Sequence, residues 1–355
     1  MQGHRSSTTY SGQFSLQTMC ALIERRKLCR TVVAGLWGKV YKVDTLHLER
    51  LEHKHTSRYQ PYPTPKLVED RYVALKQSYE GIDIQKAKNA EGKLLKEGST
   101  LAKLSHPNVV KVLGVYHGNE GTFMAMPFYP HTLSFLIEGQ VISGDGNTGQ
   151  VLVSVMQDIV NGMQYLICDQ GLMHGDLHSG NVLLDRNLKA VIADFGMVTA
   201  VDAPPKYIKS NNNLIGKIAP ELISGQDGMT CASETFALGR VMLCTICGST
   251  KLPTWKLEDN IYIDLARSLE FQDAAKKNRL LTHATDLGRL IPWFEFAKTC
   301  TGLYKRTRPE PSDWVKNIES LKQKPTVEKH TDSSSMEYVP PQPWVATTET
   351  WCMIL

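Results

Sequence analysis

The 355-residue chain has no cysteine pairing motif, no strong charge of one sign and no long apolar run. Its eight cysteines show neither CxxC pairs nor His–Cys spacing, which excludes a recognisable zinc site. The net charge of +4 is too small over this length to indicate a nucleic acid as partner. The polar start is not that of a signal peptide, and no apolar run approaches the length of a membrane span. These absences predict a cytoplasmic protein with free thiols.

Composition divides the chain into three regions. With 42% hydrophobic and 21% charged residues, it has the make-up of a globular protein. Residues 1–27 form a polar extension, expected to be partly disordered, in which LQTMCALIERRK alone has a helical pattern. Residues 28–320 carry the predicted domain. The polar, proline-rich residues 321–355 are predicted to be a disordered tail.

The first part of the domain is predicted to consist of short β-strands around one helix. β-branched and aromatic residues favour strands in VVAGLWGKVYKV, RYVALKQS, NVVKVLGVYHG and TFMAMPFYP. The basic, proline-punctuated stretch HLERLEHKHTSRYQPYPTPK is expected to be an exposed loop. KNAEGKLLKEGSTLAKL has the helical period and ends before Pro107, which cannot continue a helix.

The second part of the domain is predicted to be mainly helical. VLVSVMQDIVNGMQYLICDQ carries the apolar stripe of a core helix. ETFALGRVMLCTICG is so apolar on all sides that we expect a buried central helix, with its Met and Cys residues as core filling.

The most informative constellation is HGDLHSGNVLL at residues 174–184, followed by ADFG at 193–196. Phosphoryl transfer needs a carboxylate near the accepting hydroxyl and oxygen ligands for Mg²⁺ beside the triphosphate. Asp176, Asn181 and Asp194 supply those groups. The spacing H-x-D-x-x-x-x-N followed by D-F-G resembles the catalytic loop of eukaryotic-type protein kinases.

The resemblance covers about residues 28–320 and implies a fold. That fold is α+β and bilobal. It has a small antiparallel β-sheet lobe with one key helix, at about 28–127, and a larger, mainly helical lobe, at about 128–320.

VVAGLWGKV is similar to the glycine-rich loop that covers the ATP phosphates in this family. Gly35, Gly38 and Val40 stand at family positions, whereas Val33 replaces the first glycine. Because glycine lets the backbone approach phosphate without a Cβ clash, this departure predicts a stiffer loop and weaker nucleotide binding.

VALK is close to the family's V-A-I-K strand, which implies that Lys76 is a phosphate ligand. Glu97, on the helix before SHPN, is then the carboxylate that holds the lysine in place. The resemblance also implies that Val40, Ala74 and Leu183 line the adenine pocket, although plain strand packing explains these three nearly as well.

The loop departs from the family at Gly175, where an arginine usually grips a phosphorylated activation loop. We therefore predict that activity does not depend on activation-loop phosphorylation. His174 is expected to be structural, packing beneath the loop. His178 occupies a position that differs between Ser/Thr and Tyr kinases, and it matches neither group.

Ala219-Pro220-Glu221 resembles the A-P-E that ends the activation segment, and Arg308 fits the buried arginine with which its glutamate pairs. ASETFALG resembles the central-helix motif that supports the catalytic loop, with Glu234 in place of an aspartate. The extra methylene is expected to loosen that support. The segment before Ala219 lacks the markers of both Ser/Thr and Tyr kinases, so the sequence does not decide between a Ser/Thr and a Tyr hydroxyl as the acceptor.

The resemblance implies an ATP-dependent and Mg²⁺-dependent kinase that acts on a protein substrate. Asn181 and Asp194 would hold Mg²⁺, Lys76 would neutralise phosphate charge, and Asp176 would accept the hydroxyl proton. Two alternatives stay open. The first is a pseudokinase, which the departures at Val33, Gly175 and Glu234 favour. The second is a small-molecule kinase resembling aminoglycoside and choline kinases, which share HGDLHxGN but normally lack the SHPN, APE and Arg-Pro set.

The last four residues, Cys352-Met353-Ile354-Leu355, fit the C-a-a-X motif of geranylgeranylation at Cys352. This motif predicts membrane association through a prenyl group. No dense basic run precedes it, and a single lipid chain usually needs a second signal for stable anchoring. The alternative is that these are ordinary tail residues.

Overall fold

The computed structural model describes residues 8–10, 16–27, 29, 31–35, 38–45, 72–79, 83–118, 121–139, 148–204, 206–207, 214–223, 227–258, 261–273, 278, 280–281 and 284–323. The predicted loop HLERLEHKHTSRYQPYPTPK, nearly all of the predicted tail and Cys352 lie outside these residues. The expectations for them stay predictions.

The described elements follow the predicted order of strands first and helices later. The strands are β1 (Thr8–Tyr10), β2 (Thr31–Gly35), β3 (Gly38–Asp44), β4 (Tyr72–Ser78), β5 (Gly114–Gly118), β6 (Gly121–Pro127), β7 (His131–Thr132), β8 (Leu172–Met173), β9 (Val182–Leu184), β10 (Ala190–Ile192), β11 (Thr199–Ala200), β12 (Trp255–Glu258) and β13 (Ile261–Asp264). The α-helices are α1 (Leu16–Arg26), α2 (Ile84–Leu101), α3 (Leu133–Ile137), α4 (Thr148–Gln164), α5 (Pro220–Ile223), α6 (Cys231–Cys247), α7 (Ala284–Cys300) and α8 (Trp314–Lys322).

The small lobe is an antiparallel sheet with the strand order β1-β5-β6-β4-β3-β2. Helix α2 packs against it and is capped by Asp83, whose side chain accepts the Lys86 N–H. The α+β architecture and the predicted strands are confirmed. Strand β5 begins later than its sequence pattern suggests, because Val110 N–H donates to Ile192 O at 2.9 Å and so ties this stretch to the large lobe.

Part of residues 1–27 belongs to the small lobe's sheet and core. Strand β1 pairs with β5, and α1 confirms the helical pattern in this stretch. Met19, Leu22 and Ile23 of α1 are buried in one apolar cluster with sheet residues that include Leu75 and Phe123. The Arg26 guanidinium lies 4.7 Å from the centre of the Phe123 ring. These residues therefore extend and cover the sheet, although their polar composition predicts a partly disordered extension.

The large lobe is built around α6, the central helix that the apolar pattern predicts. Thr230 and Ser233 close its first turn in a capping box, and Gly248, with a φ of +64°, ends it in the left-handed conformation. Helix α4 packs nearby and continues as a π-helical turn, Tyr165–Asp169, which leads into β8 and the catalytic loop. The core of the large lobe thus places the HGD segment at the edge that faces the sheet of the small lobe.

Within the described part of the chain, the stretch Thr148–Asp169 is long and apolar enough to cross a membrane by length and composition. Half of its most apolar window is buried inside the protein, and Leu152, Val155 and Ile159 have no exposed surface. The expectation that no apolar run approaches the length of a membrane span is therefore wrong for this stretch. Its buried face is that of a core helix.

Candidate active site

Lys76 and Glu97 meet across the small lobe. Lys76 lies on β4 between Val40 of β3 and Met124 of β6, which fixes the origin of its side chain. Glu97 is buried on α2, and its carboxylate oxygens lie 2.9 and 3.0 Å from the Lys76 Nζ. The structure therefore brings the predicted pair together.

Asp194 joins this pair from the large lobe. Its Oδ1 lies 3.3 Å from the Lys76 Nζ, and the backbone N–H of Phe195 donates to a carboxylate oxygen of Glu97 at 3.3 Å. Burial alone would lower the pKa of Lys76, but the Glu97 and Asp194 carboxylates outweigh it and raise the pKa. The ammonium therefore stays charged at the point where the two lobes meet.

The backbone of Asp194 adopts an uncommon conformation, with a φ of +63°. Its Oδ1 accepts the Gly196 N–H at 3.3 Å. Burial alone would raise the pKa of Asp194, but Lys76 and the Gly196 N–H outweigh it, so the net shift is downward. Asp194 is therefore a carboxylate whose anionic form is held in place by its neighbours.

The catalytic loop brings Asp176 and Asn181 together. The Asn181 amide nitrogen donates to Asp176 O at 2.9 Å and lies 3.4 Å from its Oδ2. Loss of solvent raises the pKa of Asp176; the nearby His178 opposes this shift and Asp194 adds to it. Within the loop, His178 accepts the Gly180 N–H at its Nδ1, 3.0 Å away.

His174 is fully buried and links the catalytic loop to the DFG segment. Its Nε2 donates to Ala193 O at 3.0 Å, its Nδ1 accepts the Asp176 N–H at 3.2 Å, and its ring meets Phe195 edge-on. Burial lowers the pKa of His174 to about 4, so the ring is neutral. These contacts position the loop backbone and leave neither ring nitrogen free to act as a base.

Glu234, on α6, supports the loop from beneath. One carboxylate oxygen accepts the His174 N–H at 2.9 Å and the other accepts the Gly175 N–H at 3.0 Å. The longer side chain thus reaches both donors, and the expected loosening relative to an aspartate stays a prediction. Burial raises the pKa of Glu234 to about 7 in spite of these two bonds.

Glu221, in the APE motif, forms a buried ion pair with Arg308. The two side chains make parallel bonds of 2.6 and 2.9 Å, and Arg308 also donates to Ala232 O at 3.0 Å and to Gly302 O at 2.8 Å. A planar guanidinium can satisfy this many acceptors at once. The end of the activation segment is thereby fastened to the large lobe.

The predicted nucleotide-binding residues come from β2, β3 and β4 of the small lobe and, for Leu183, from β9. Val33 pairs with Val40, and Gly35 faces Gly38, where the chain passes from β2 to β3. Val40 and Leu183 pack against the cluster that contains Ala74. A Cβ atom at Gly38 would lie only 2.0 Å from Gln77 O, so this position requires glycine.

Two further residues belong to the site, and no sequence motif marks them. Met229 packs against Gly175, and the Lys206 ammonium donates to Met197 O, directly after DFG, at 2.8 Å. Lys206 follows two prolines in a stretch whose sequence predicts only a loop. Met229 directly precedes Thr230, the N-cap of α6. Neither has a motif around it.

A two-lobed fold with a Lys–Glu pair bonded to a DFG aspartate, and with a catalytic-loop aspartate in electrostatic range of that aspartate, is the arrangement of a phosphotransferase. The family model described as "Protein kinase domain" matches residues 65–317, and the chain therefore belongs to the protein kinase family. The recognition of that family and of its bilobal fold from sequence is confirmed.

Several curated kinases are similar to the chain over less than half of its length. It is 30% identical over 149 residues to a probable CTD kinase subunit alpha homolog of Encephalitozoon cuniculi, covering 42% of the chain and 43% of that protein. It is 31% identical over 166 residues to the L-type lectin-domain containing receptor kinase V.7 of Arabidopsis thaliana, covering 43% of the chain and 24% of that protein. An inactive leucine-rich repeat receptor-like serine/threonine-protein kinase of Arabidopsis thaliana is 28% identical over 153 residues, covering 42% of the chain and 23% of that protein. The chain thus spans less than half the length of these relatives.

Proposed function

We propose that this protein kinase is catalytically active. It would transfer the γ-phosphoryl group of Mg-ATP to a Ser or Thr hydroxyl of a protein in intracellular signalling, with Tyr as the alternative acceptor. The observation that carries the proposal is the continuous contact from Glu97 through Lys76 to Asp194, with bonds of 2.9 to 3.3 Å. The pseudokinase hypothesis gives no chemical reason for this set to be complete.

The donor set fits Mg²⁺. Carboxylate and amide oxygens are the ligands that this cation prefers. The Asn181 amide nitrogen is engaged with Asp176 O, which leaves its carbonyl oxygen to face a cation. Asp194 is anionic because Lys76 and the Gly196 N–H stabilise its charge. When bound, Mg-ATP supplies the phosphoryl group, and its Mg²⁺ neutralises part of the charge on the phosphates.

The residues of the chain have distinct tasks in this proposal. Lys76, held by Glu97, neutralises phosphate charge without having to be reoriented when nucleotide enters. Asp176 orients the acceptor hydroxyl and takes its proton, which its raised pKa favours. His174 and Glu234 hold the loop backbone that carries Asp176.

The similar kinases favour Ser/Thr among the acceptor hydroxyls, because one of them is a receptor-like serine/threonine-protein kinase. That relative is described as inactive, so its name supports the class and not the activity. The Glu221–Arg308 pair and the protein kinase family match disfavour a small-molecule kinase.

The test is γ-phosphoryl transfer from Mg-ATP to a peptide library with Ser, Thr or Tyr as the acceptor. We expect Lys76→Met and Asp194→Asn each to lower transfer by about 100-fold or more, because each removes a preorganised charge. Lys86→Met is the matched control, since Lys86 is an exposed lysine at the start of α2. No transfer by the unmodified protein would identify a pseudokinase, and transfer to aminoglycoside or choline but not to peptides would identify a small-molecule kinase.

A further inference from the structure

Gly175 disfavours a side chain, first of all through its backbone conformation. Its φ is +81°, and a Cβ atom there would lie 2.2 Å from the Met229 methyl carbon and 3.0 Å from Met197 O. Met229 is buried, so its side chain would have to repack to make room. An arginine therefore cannot be placed at Gly175 without displacing Met229, whose side chain fills that space.

Lys206 connects the elements around this position. Its ammonium donates to Met197 O at 2.8 Å and lies 3.8 Å from the Met197 sulfur. Its own carbonyl oxygen accepts the Met229 N–H at 3.0 Å. One residue of the activation segment thus binds both the backbone that follows DFG and the methionine that packs on the catalytic loop.

The surroundings of Lys206 also reach the catalytic residues. Burial, Lys96 and Lys93 lower the pKa of Lys206, whereas Asp176 raises it. Lys93 and Lys96 lie on α2, the helix that carries Glu97. The ammonium therefore lies within electrostatic range of both the catalytic loop and α2.

Asp194 needs such a restraint. A non-glycine residue at a φ of +63° is strained, and it keeps this conformation only where its neighbours fix the backbone. Gly196 fixes one side through its bond to Asp194 Oδ1. The Lys206–Met197 bond fixes the backbone at Met197, three residues after Asp194.

We propose that Lys206 is a positioning residue that, with Met229, holds the start of the activation segment against the catalytic loop without a phosphate group. A lysine–carbonyl bond within the chain here does what an arginine–phosphate contact does in kinases that are switched on by phosphorylation. The proposal rests on the kinase function proposed above and concerns the regulation of that site.

The kinetic test compares Lys206→Met, which keeps the apolar stem, with Lys206→Arg, which keeps the cation. We expect kcat of Lys206→Met to fall about tenfold with KM for ATP changed by less than about twofold, and Lys206→Arg to recover most of the loss. Lys103→Met, at an exposed lysine beyond α2, is the control and should leave kcat unchanged. The unmodified protein should keep its activity after phosphatase treatment. An unchanged kcat in Lys206→Met, or loss of wild-type activity to phosphatase, would overturn the proposal.

A second measurement does not depend on catalysis. Amide hydrogen exchange over residues 197–204 should be faster in Lys206→Met than in the unmodified protein at equal Tm, and Lys206→Arg should restore protection. Equal exchange in all three proteins would refute the positioning role even if no kinase activity is found. Faster exchange in an inactive protein would support the restraint and contradict only the proposed enzymatic function.

Discussion

Glu221 and Arg308, 87 residues apart, are joined by two parallel hydrogen bonds inside the large lobe. The Arg308 side chain has no exposed surface, and that of Glu221 is 10% exposed. A buried charge that loses its partner costs far more than an exposed one, because water cannot replace the lost interaction. The end of the activation segment therefore depends on this pair.

Arg308→Lys tests that dependence. Lysine keeps the charge but cannot make two parallel bonds together with those to Ala232 O and Gly302 O. We expect the free energy of unfolding, measured by urea denaturation, to fall by about 1–3 kcal/mol, because buried acceptors of Arg308 lose their donors. Lys305→Met, which removes only the exposed ion pair with Asp227, should cost less than about 1 kcal/mol. Equal losses in both variants would contradict the importance of burial.

Glu234→Gln tests the support of the catalytic loop. The amide replaces one acceptor oxygen with an NH₂ group, so either the His174 N–H or the Gly175 N–H loses its partner. We expect a destabilisation of about 1–3 kcal/mol and a lower kcat, because the backbone before Asp176 shifts. Glu319→Gln, at an exposed glutamate of α8, is the control for the amide substitution. A variant with wild-type stability and kcat would show that the two bonds are dispensable.

The buried ring of His174 predicts a loss of stability in acid. Burial lowers its pKa in the folded protein from 6.5 to about 4, so the unfolded chain binds the proton more readily. The stability that the neutral His174 ring contributes is complete above pH 6.5 and is lost as the pH falls towards 4. The free energy of unfolding of the wild type minus that of His174→Phe should therefore decrease by up to about 3 kcal/mol over this range. This difference cancels titrations that both proteins share, including that of Glu234, and a constant difference would contradict the prediction.

The N-terminal helix should stabilise the whole small lobe. Leu22 of α1 has no exposed surface and packs in the cluster that contains Leu75 and Phe123. Leu22→Ala should lower the free energy of unfolding by about 2–5 kcal/mol, whereas Glu24→Ala on the exposed side should change it by less than about 0.5 kcal/mol. Unfolding monitored by Trp fluorescence gives both values. Equal effects would show that α1 is not docked in solution.

The chemistry of the site was predictable from sequence because its residues sit in short local motifs. Asp176 and Asn181 belong to one loop, and Asp194 follows after a single hairpin, so their spacing alone predicts that they meet. Lys76 and Glu97 lie on different elements, but each is marked by its own pattern. The long helices were equally predictable from sequence, because an apolar stripe, or apolar residues on all sides, directly indicates burial.

The remaining features depend on contacts between distant segments that no local pattern records. Strand β1 has only the residues TTY, and its pairing with β5 arises from a sheet edge that forms far along the chain. Met229 fills the space over Gly175 only after α6 and the catalytic loop have packed. The reach of Glu234 likewise depends on the distance between α6 and the loop, which its residue type does not reveal.

The place of α1 and β1 in the sheet has a practical consequence for the choice of expression boundaries. A fragment trimmed to the matched residues 65–317 would retain β4, β5 and β6 but lose β1, β2, β3 and α1. Such a fragment would present an unpaired edge of β4 and an uncovered apolar face around Phe123, both of which promote aggregation. Recombinant protein should therefore begin upstream of Thr8.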